Sequence, residues 1–149
     1  MKLHRKVLCF LTLGSLLLPS ISSAELGGNT ESIFSEQKAF NSKLSNTQLG
    51  GVVVYTHSLP SGIILQEYLS GNGTIFAVTW SGPSLPNLQV LLGVYFKDYL
   101  AAIKESRRTV YLNNENVIIQ SSGMMGAFQG FAFLTKQAPA GFTPNNLSQ

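Results

Sequence analysis

Ile63-Ile64-Leu65-Gln66-Glu67-Tyr68-Leu69, then Ser70-Gly71-Asn72-Gly73, then Thr74-Ile75-Phe76-Ala77-Val78-Thr79-Trp80 is the segment that decides the fold. Both flanks are rich in branched and aromatic residues, and the Asn-Gly pair between them is a hairpin signature. With Asn72 and Gly73 as a two-residue loop, Leu69 faces Phe76, Glu67 faces Val78 and Leu65 faces Trp80. One side then carries Leu65, Leu69, Phe76, Val78 and Trp80. A three-residue loop instead sets Tyr68 opposite Phe76 and Ile64 opposite Trp80, because a slip of one residue exchanges the faces. The choice decides where Glu67 points.

Downstream, Gly82-Pro83-Ser84 ends the second strand and offers Ser84 as a helix cap, with Pro86 tolerated in the first turn. A helix is expected from near Leu85. Leu88, Leu91, Leu92, Tyr95, Phe96, Tyr99 and Ile103 recur at spacings of three and four, which makes one apolar stripe. Gly93 interrupts it at about 1 kcal/mol relative to Ala, and implies a bend or a close neighbour. Lys104, Arg107 and Arg108 at the far end suit the helix dipole, with an anion site as the alternative reading.

Upstream, Glu25 to Thr30 reads as a flexible lead-in with Asn29 or Thr30 as cap. Ile33, Gln37, Phe40 and Leu44 share one side of a short helix ending near Leu44. Ser45 to Gly51 reads as a polar linker, Val52 to His57 as a strand, and Leu59-Pro60-Ser61-Gly62 as a turn. Thr109–Leu112 and Val117–Gln120 flank a second turn, Ser121 to Gly126 reads as a bend, and Ala127–Leu134 as a last strand. The segment 135–149, with prolines at 139 and 144, reads as an extended or disordered tail. The expectation is therefore an N-terminal helix and linker over 25–51 and a single α+β domain over 52–134. Its antiparallel sheet has about five to six strands, with a long helix and a shorter N-terminal helix packed on one face.

Residues 1–24 combine Lys2, Arg5 and Lys6 with the apolar run Val7–Leu18 and small residues up to Ala24, the pattern of a secretory signal peptide cut near Ala24. The run is shorter than the roughly 20 residues that span a bilayer, so no membrane span is expected. Cys9 lies inside the apolar run, not after it, which argues against a lipid anchor. Without residues 1–24 the 10 basic residues become 7 against 7 acidic ones, so the pI near 9.1 belongs to the precursor. A neutral chain lacks the basic footprint of a nucleic-acid binder. Loss of the single cysteine also removes any disulfide or thiol nucleophile. The expected destination is the periplasm or the exterior.

Leu59-Pro60-Ser61-Gly62, Glu67-Tyr68, Phe76-Ala77-Val78, Trp80-Ser81-Gly82-Pro83, Leu85-Pro86, Leu91-Leu92-Gly93, Ser122-Gly123, Ala127-Phe128, Gly130 and Pro139-Ala140-Gly141 together resemble a family of short exported proteobacterial proteins of unknown function, DUF2844. The resemblance covers most of residues 52–141. It implies export from a bacterial cytoplasm and carries over no catalytic residue, ligand or partner. The family pattern often has a basic residue where this chain has Gly126, which weakens an anion-binding role for that bend.

Few residues suit chemistry. His57 is the only histidine after residue 24, at a strand end, where it is a general-base or ligand candidate or simply a hydrogen-bonded imidazole. Glu67 is an acid–base candidate if the two-residue loop sets it among Leu65, Leu69, Val78 and Trp80, and an edge glutamate paired with a lysine otherwise. Asp98 has nothing placing it beside His57, so a Ser-His-Asp arrangement finds no support. One histidine without cysteine argues against structural zinc, and Asn113-Asn114-Glu115-Asn116 lacks a calcium-loop pattern, so neither metal nor cofactor is expected. No nucleophile elbow, phosphate loop or dinucleotide fingerprint occurs.

Met124, Met125 and Phe128, with Phe131 and Phe133, line either an apolar groove or the core. The leading expectation is a non-enzymatic exported module that binds a protein or cell-envelope component. The alternatives are a small acid/base enzyme using Glu67 or His57, in which both must line one concave pocket, and an apolar-ligand carrier using the Met/Phe segment.

Overall fold

In the computed structural model, which describes residues 25–147 apart from Glu105, Arg107 and Arg108, the chain runs through α1 (Thr30–Phe40), β1 (Lys43–Leu49), β2 (Val52–Ser58), β3 (Ile64–Leu69), β4 (Ile75–Gly82), α2 (Leu88–Leu92), α3 (Phe96–Ile103), β5 (Thr109–Asn113), β6 (Val117–Met124) and β7 (Ala127–Leu134). The expected leader at residues 1–24 and two members of the basic trio, Arg107 and Arg108, lie outside the described residues. All seven strands form one antiparallel sheet in the order β1-β2-β3-β4-β7-β6-β5. Two meanders, β1–β4 and β5–β7, therefore meet at the β4/β7 pair.

This overturns the expected five-to-six-stranded sheet carrying one long helix. The extra strand is β1, from the stretch read as a linker. It is an edge strand exposed along nearly its whole length, so no apolar alternation marks it. Gly50 and Gly51, at φ 55° and 85°, form the two-residue loop to β2, a turn that needs positive φ at both positions.

The apolar stripe from Leu88 to Ile103 is divided at Gly93, whose φ of 50° and ψ of −122° end α2. A 3-10 turn over Gly93–Tyr95 then leads into α3. The bend also admits a close neighbour, since a Cβ on Gly93 would collide with the Glu25 side chain. Capping falls to Asn87, which accepts from the amide of Val90 at 3.3 Å, and not to Ser84. The longest helix is α1, at 11 residues.

The first hairpin reaches the two-residue-loop register by a different route. Ser70 donates its amide to Thr74 at 2.9 Å around the three-residue loop Gly71-Asn72-Gly73, with Gly73 at φ 84°. That would shift the strands by one residue. A bulge restores the pairing, because Tyr68 opposes Ala77 while Leu69 opposes Ile75, leaving Phe76 between them. From Glu67↔Val78 to Leu65↔Trp80 the pairs are those of the shorter loop. Phe76, expected beside Leu69 and Trp80, instead faces the other side of the sheet with Tyr68 and Ala77.

Both faces are covered. On the first, Leu65, Val78, Trp80, Ile119 and Leu134 pack with Ile33 of α1, Leu91 and Leu92 of α2, and Tyr99 of α3. On the second, Val52, Val54, Tyr68, Phe76, Phe131 and Phe133 pack with Leu147, Ala138 and Phe142. The segment after Thr135, read as a free tail, thus folds back over the sheet. The lead-in is tied down as well: Gly27 donates to the carbonyl of Ile75 at 2.8 Å, and Ile75 donates to that of Gly28 at 2.9 Å. No helix among the described residues is long and apolar enough to cross a membrane.

Candidate functional site

Strand alternation places His57 of β2 and Glu67 of β3 on the first face, since Tyr55 pairs with Glu67 and His57 with Leu65. They are diagonal neighbours, and His57 Nε2 lies 3.3 Å from Glu67 Oε2. Leu44 and Leu65 flank the histidine across the strands, and Val78 flanks the glutamate.

Above them, α1 is capped by the Asn29 side chain at its start and by Asn41 at φ 48° at its end. Its inward side is Ser32, Ile33 and Glu36, with Phe40 partly covered, so Glu36 is carried into the interior one turn beyond Ile33. The left-handed Asn41 turns the chain so that Ser42 bonds back to the carbonyl of Gln37 at 3.1 Å. Its hydroxyl then sits 2.8 Å from His57 Nδ1. Both ring nitrogens of His57 are engaged, one by a hydroxyl and one by a carboxylate.

Glu36, His57 and Glu67 are 2%, 0% and 1% exposed. Their nearest ligand atoms all lie within 4.8 Å of one another. Neither oxygen of Glu36 has a hydrogen-bond partner. Burial, and then the neighbouring Glu67 charge, push the Glu36 carboxyl up from an ordinary 4.5 to about 10. A hydrogen bond between the two carboxyls would push the same way. Burial is the largest of these causes and the Glu67 charge the second.

The structure thus brings His57 and Glu67 together, and adds Glu36 and Ser42, which sequence reasoning missed. Asp98 is half-buried in the first turn of α3 and has no part in the cluster. A signal for Glu36 existed: it shares the helix side of Ile33 and Phe40 by spacing, but a charged residue was not counted on an inward face. The cluster is interior. Four surface grooves among the described residues are lined by other side chains.

A groove of about 810 Å³ opens at the β6–β7 end between Ser81, Pro83, Thr109, Ser122, Met124 and Phe128, and none of its described lining residues is charged. Met124 pairs with Ala127 around the two-residue loop Met125-Gly126, where Gly126 has φ 84°. Met124 is 80% exposed and Met125 99%. Period-two alternation splits the expected Met/Phe cluster: Phe131 and Phe133 are buried on the second face, whereas Phe128 is half-buried beside the groove.

A family model described as a protein of unknown function (DUF2844) matches residues 22–147. The chain belongs to the DUF2844 family. No curated protein and no solved structure matches it. In this DUF2844 chain two places therefore stand out on their own residues, the interior Glu36–His57–Glu67 cluster and the groove under the methionine tip.

Proposed function

We propose that this DUF2844 protein is an exported, non-enzymatic binding module that engages a protein or envelope component through the β6–β7 tip. The leader-like composition of residues 1–24 supports export. One observation carries the binding role: two adjacent methionines are 80% and 99% exposed, and Met124 lines a groove with no charged residue among its described lining residues. Unbranched, polarizable methionine side chains adapt to apolar partners, and solvent-exposed pairs of them are a binding feature. The fitting partner is an uncharged, apolar stretch of polypeptide. An acid/base enzyme is disfavoured because Glu67 and His57 are shut from solvent, where no substrate reaches them.

Beyond Met1, the chain has methionine only at 124 and 125, so methyl-labelled methionine reports on the tip alone. Titrating the labelled protein, cut after Ala24, with purified apolar peptides and then with fractionated envelope proteins should shift or broaden both methyl signals. The folded double variant M124S/M125S should bind at least tenfold more weakly. Methyl signals that stay in place while resonances elsewhere respond would overturn this assignment.

A further inference from the structure

We infer that Glu36, His57 and Glu67 form an interior site for one first-row divalent metal ion of the zinc class, which fastens α1 to β2 and β3. This is independent of the binding surface at the β6–β7 tip. The observation that points to an ion is Glu36 itself: at 2% exposure, both its oxygens are without a partner and face a histidine nitrogen and a second carboxylate. A buried carboxyl with no hydrogen-bond partner on either oxygen is costly even when it keeps its proton. No lysine or arginine relieves it, since the only ion pair found among the described residues is His57–Glu67. Binding releases the proton of Glu36, after which two carboxylates and a neutral imidazole sum to two negative charges, which one divalent cation cancels.

The donor types agree, and one edge of the cluster already has the length a metal needs. The 3.3 Å between His57 Nε2 and Glu67 Oε2 is long for a hydrogen bond. It matches the edge of a tetrahedron with metal–ligand bonds of about 2.0 Å. The other ring nitrogen, Nδ1, is held by Ser42 at 2.8 Å, the outer contact that orients a metal-binding imidazole and leaves Nε2 for the ion. One nitrogen and two carboxylates suit zinc, cobalt, iron or manganese. They are too few oxygens for calcium, which takes six to eight. The count of histidine and cysteine that argued against zinc left the carboxylates out. Because the cluster is closed to solvent, the role is structural.

The test uses the protein cut after Ala24, stripped with chelator, exposed to Zn²⁺ or Co²⁺ and desalted. We expect one ion per chain by elemental analysis, and displacement of the His57 Nε2 resonance on addition of one equivalent. E36Q keeps the shape and removes the carboxyl that must ionise to hold the ion, so it should fold and yet lose the ion. S42A should retain it about 10- to 100-fold more weakly. The inference is overturned if the wild-type protein, shown folded by blue-shifted Trp80 emission, keeps no ion and its His57 resonances do not move. It is equally overturned if folded E36Q retains zinc as well as wild type.

Discussion

Glu36 is a carboxyl group that the fold carries into apolar surroundings on the inward side of α1, facing His57 and Glu67. With metal removed by chelator, its elevated pKa makes stability depend on pH. A carboxyl whose pKa is higher in the native state keeps its proton there while the unfolded chain has lost it, so the unfolded state binds fewer protons. Its contribution is complete below the ordinary 4.5 and is lost as pH rises towards about 10. Denaturant midpoints measured from about pH 5 to about pH 9 should fall for wild type and fall much less for E36Q. Equal slopes would show that Glu36 does not carry the dependence. Glu67 was legible as an interior residue in only one of the two registers open to the hairpin, because pairing names its neighbours. Glu36 was not, because helical spacing gave it the same side as Ile33 and Phe40 while its charge argued for solvent. The groups it meets there, His57 and Glu67, are supplied by other elements.

Among the elements, the strands that could be read were those with a buried side. β2, β3 and β4 announce themselves through branched and aromatic residues, whereas β1 turns only Leu44 partly inward and so carries no period-two signal. The broken α2–α3 stripe shows a different limit. Spacing located the buried Leu88, Leu91, Leu92 and Tyr99, but a single glycine backbone at positive φ decided that they lie on two short helices. The centre of the sheet depends on another glycine. Gly130 of β7 pairs with Trp80, and a Cβ there would lie 2.4 Å from the indole and 2.4 Å from the carbonyl oxygen of Gln120. A backbone oxygen inside a sheet cannot withdraw, so G130A should cost about 1–3 kcal/mol as an overpacked core does. The sole tryptophan reports the damage through a red shift of its emission, since Trp80 is 2% exposed. G71A, at a loop position with open space around it, should stay within about 0.5 kcal/mol of wild type. Equal stability of the two variants would refute the packing account.

A sheet with apolar residues on both sides cannot be finished by helices on one of them, and this molecule closes its second side with the end of its own chain. Prolines and polar residues after Thr135 concealed that function, because the anchoring side chains are isolated: Ala138, Phe142 and Leu147. Phe142 meets Phe76 with ring centres 5.0 Å apart and Tyr68 at 6.0 Å, both edge to face, and Phe76 reaches Phe133 in the same way. A chain stopped after Thr135 leaves Tyr68, Phe76, Phe131 and Phe133 uncovered. It should bind a fluorescent apolar dye, self-associate with rising concentration and unfold at lower denaturant than the full chain. F142A, which removes one half-buried ring and leaves the backbone cover in place, should cost about 2 kcal/mol, below the 3–5 kcal/mol of a fully buried phenylalanine. The two variants separate the ring's packing from the cover as a whole. If the shortened chain remains monomeric and unfolds with the full one, the terminal segment contributes nothing to stability, and the second face must tolerate water despite its aromatic composition.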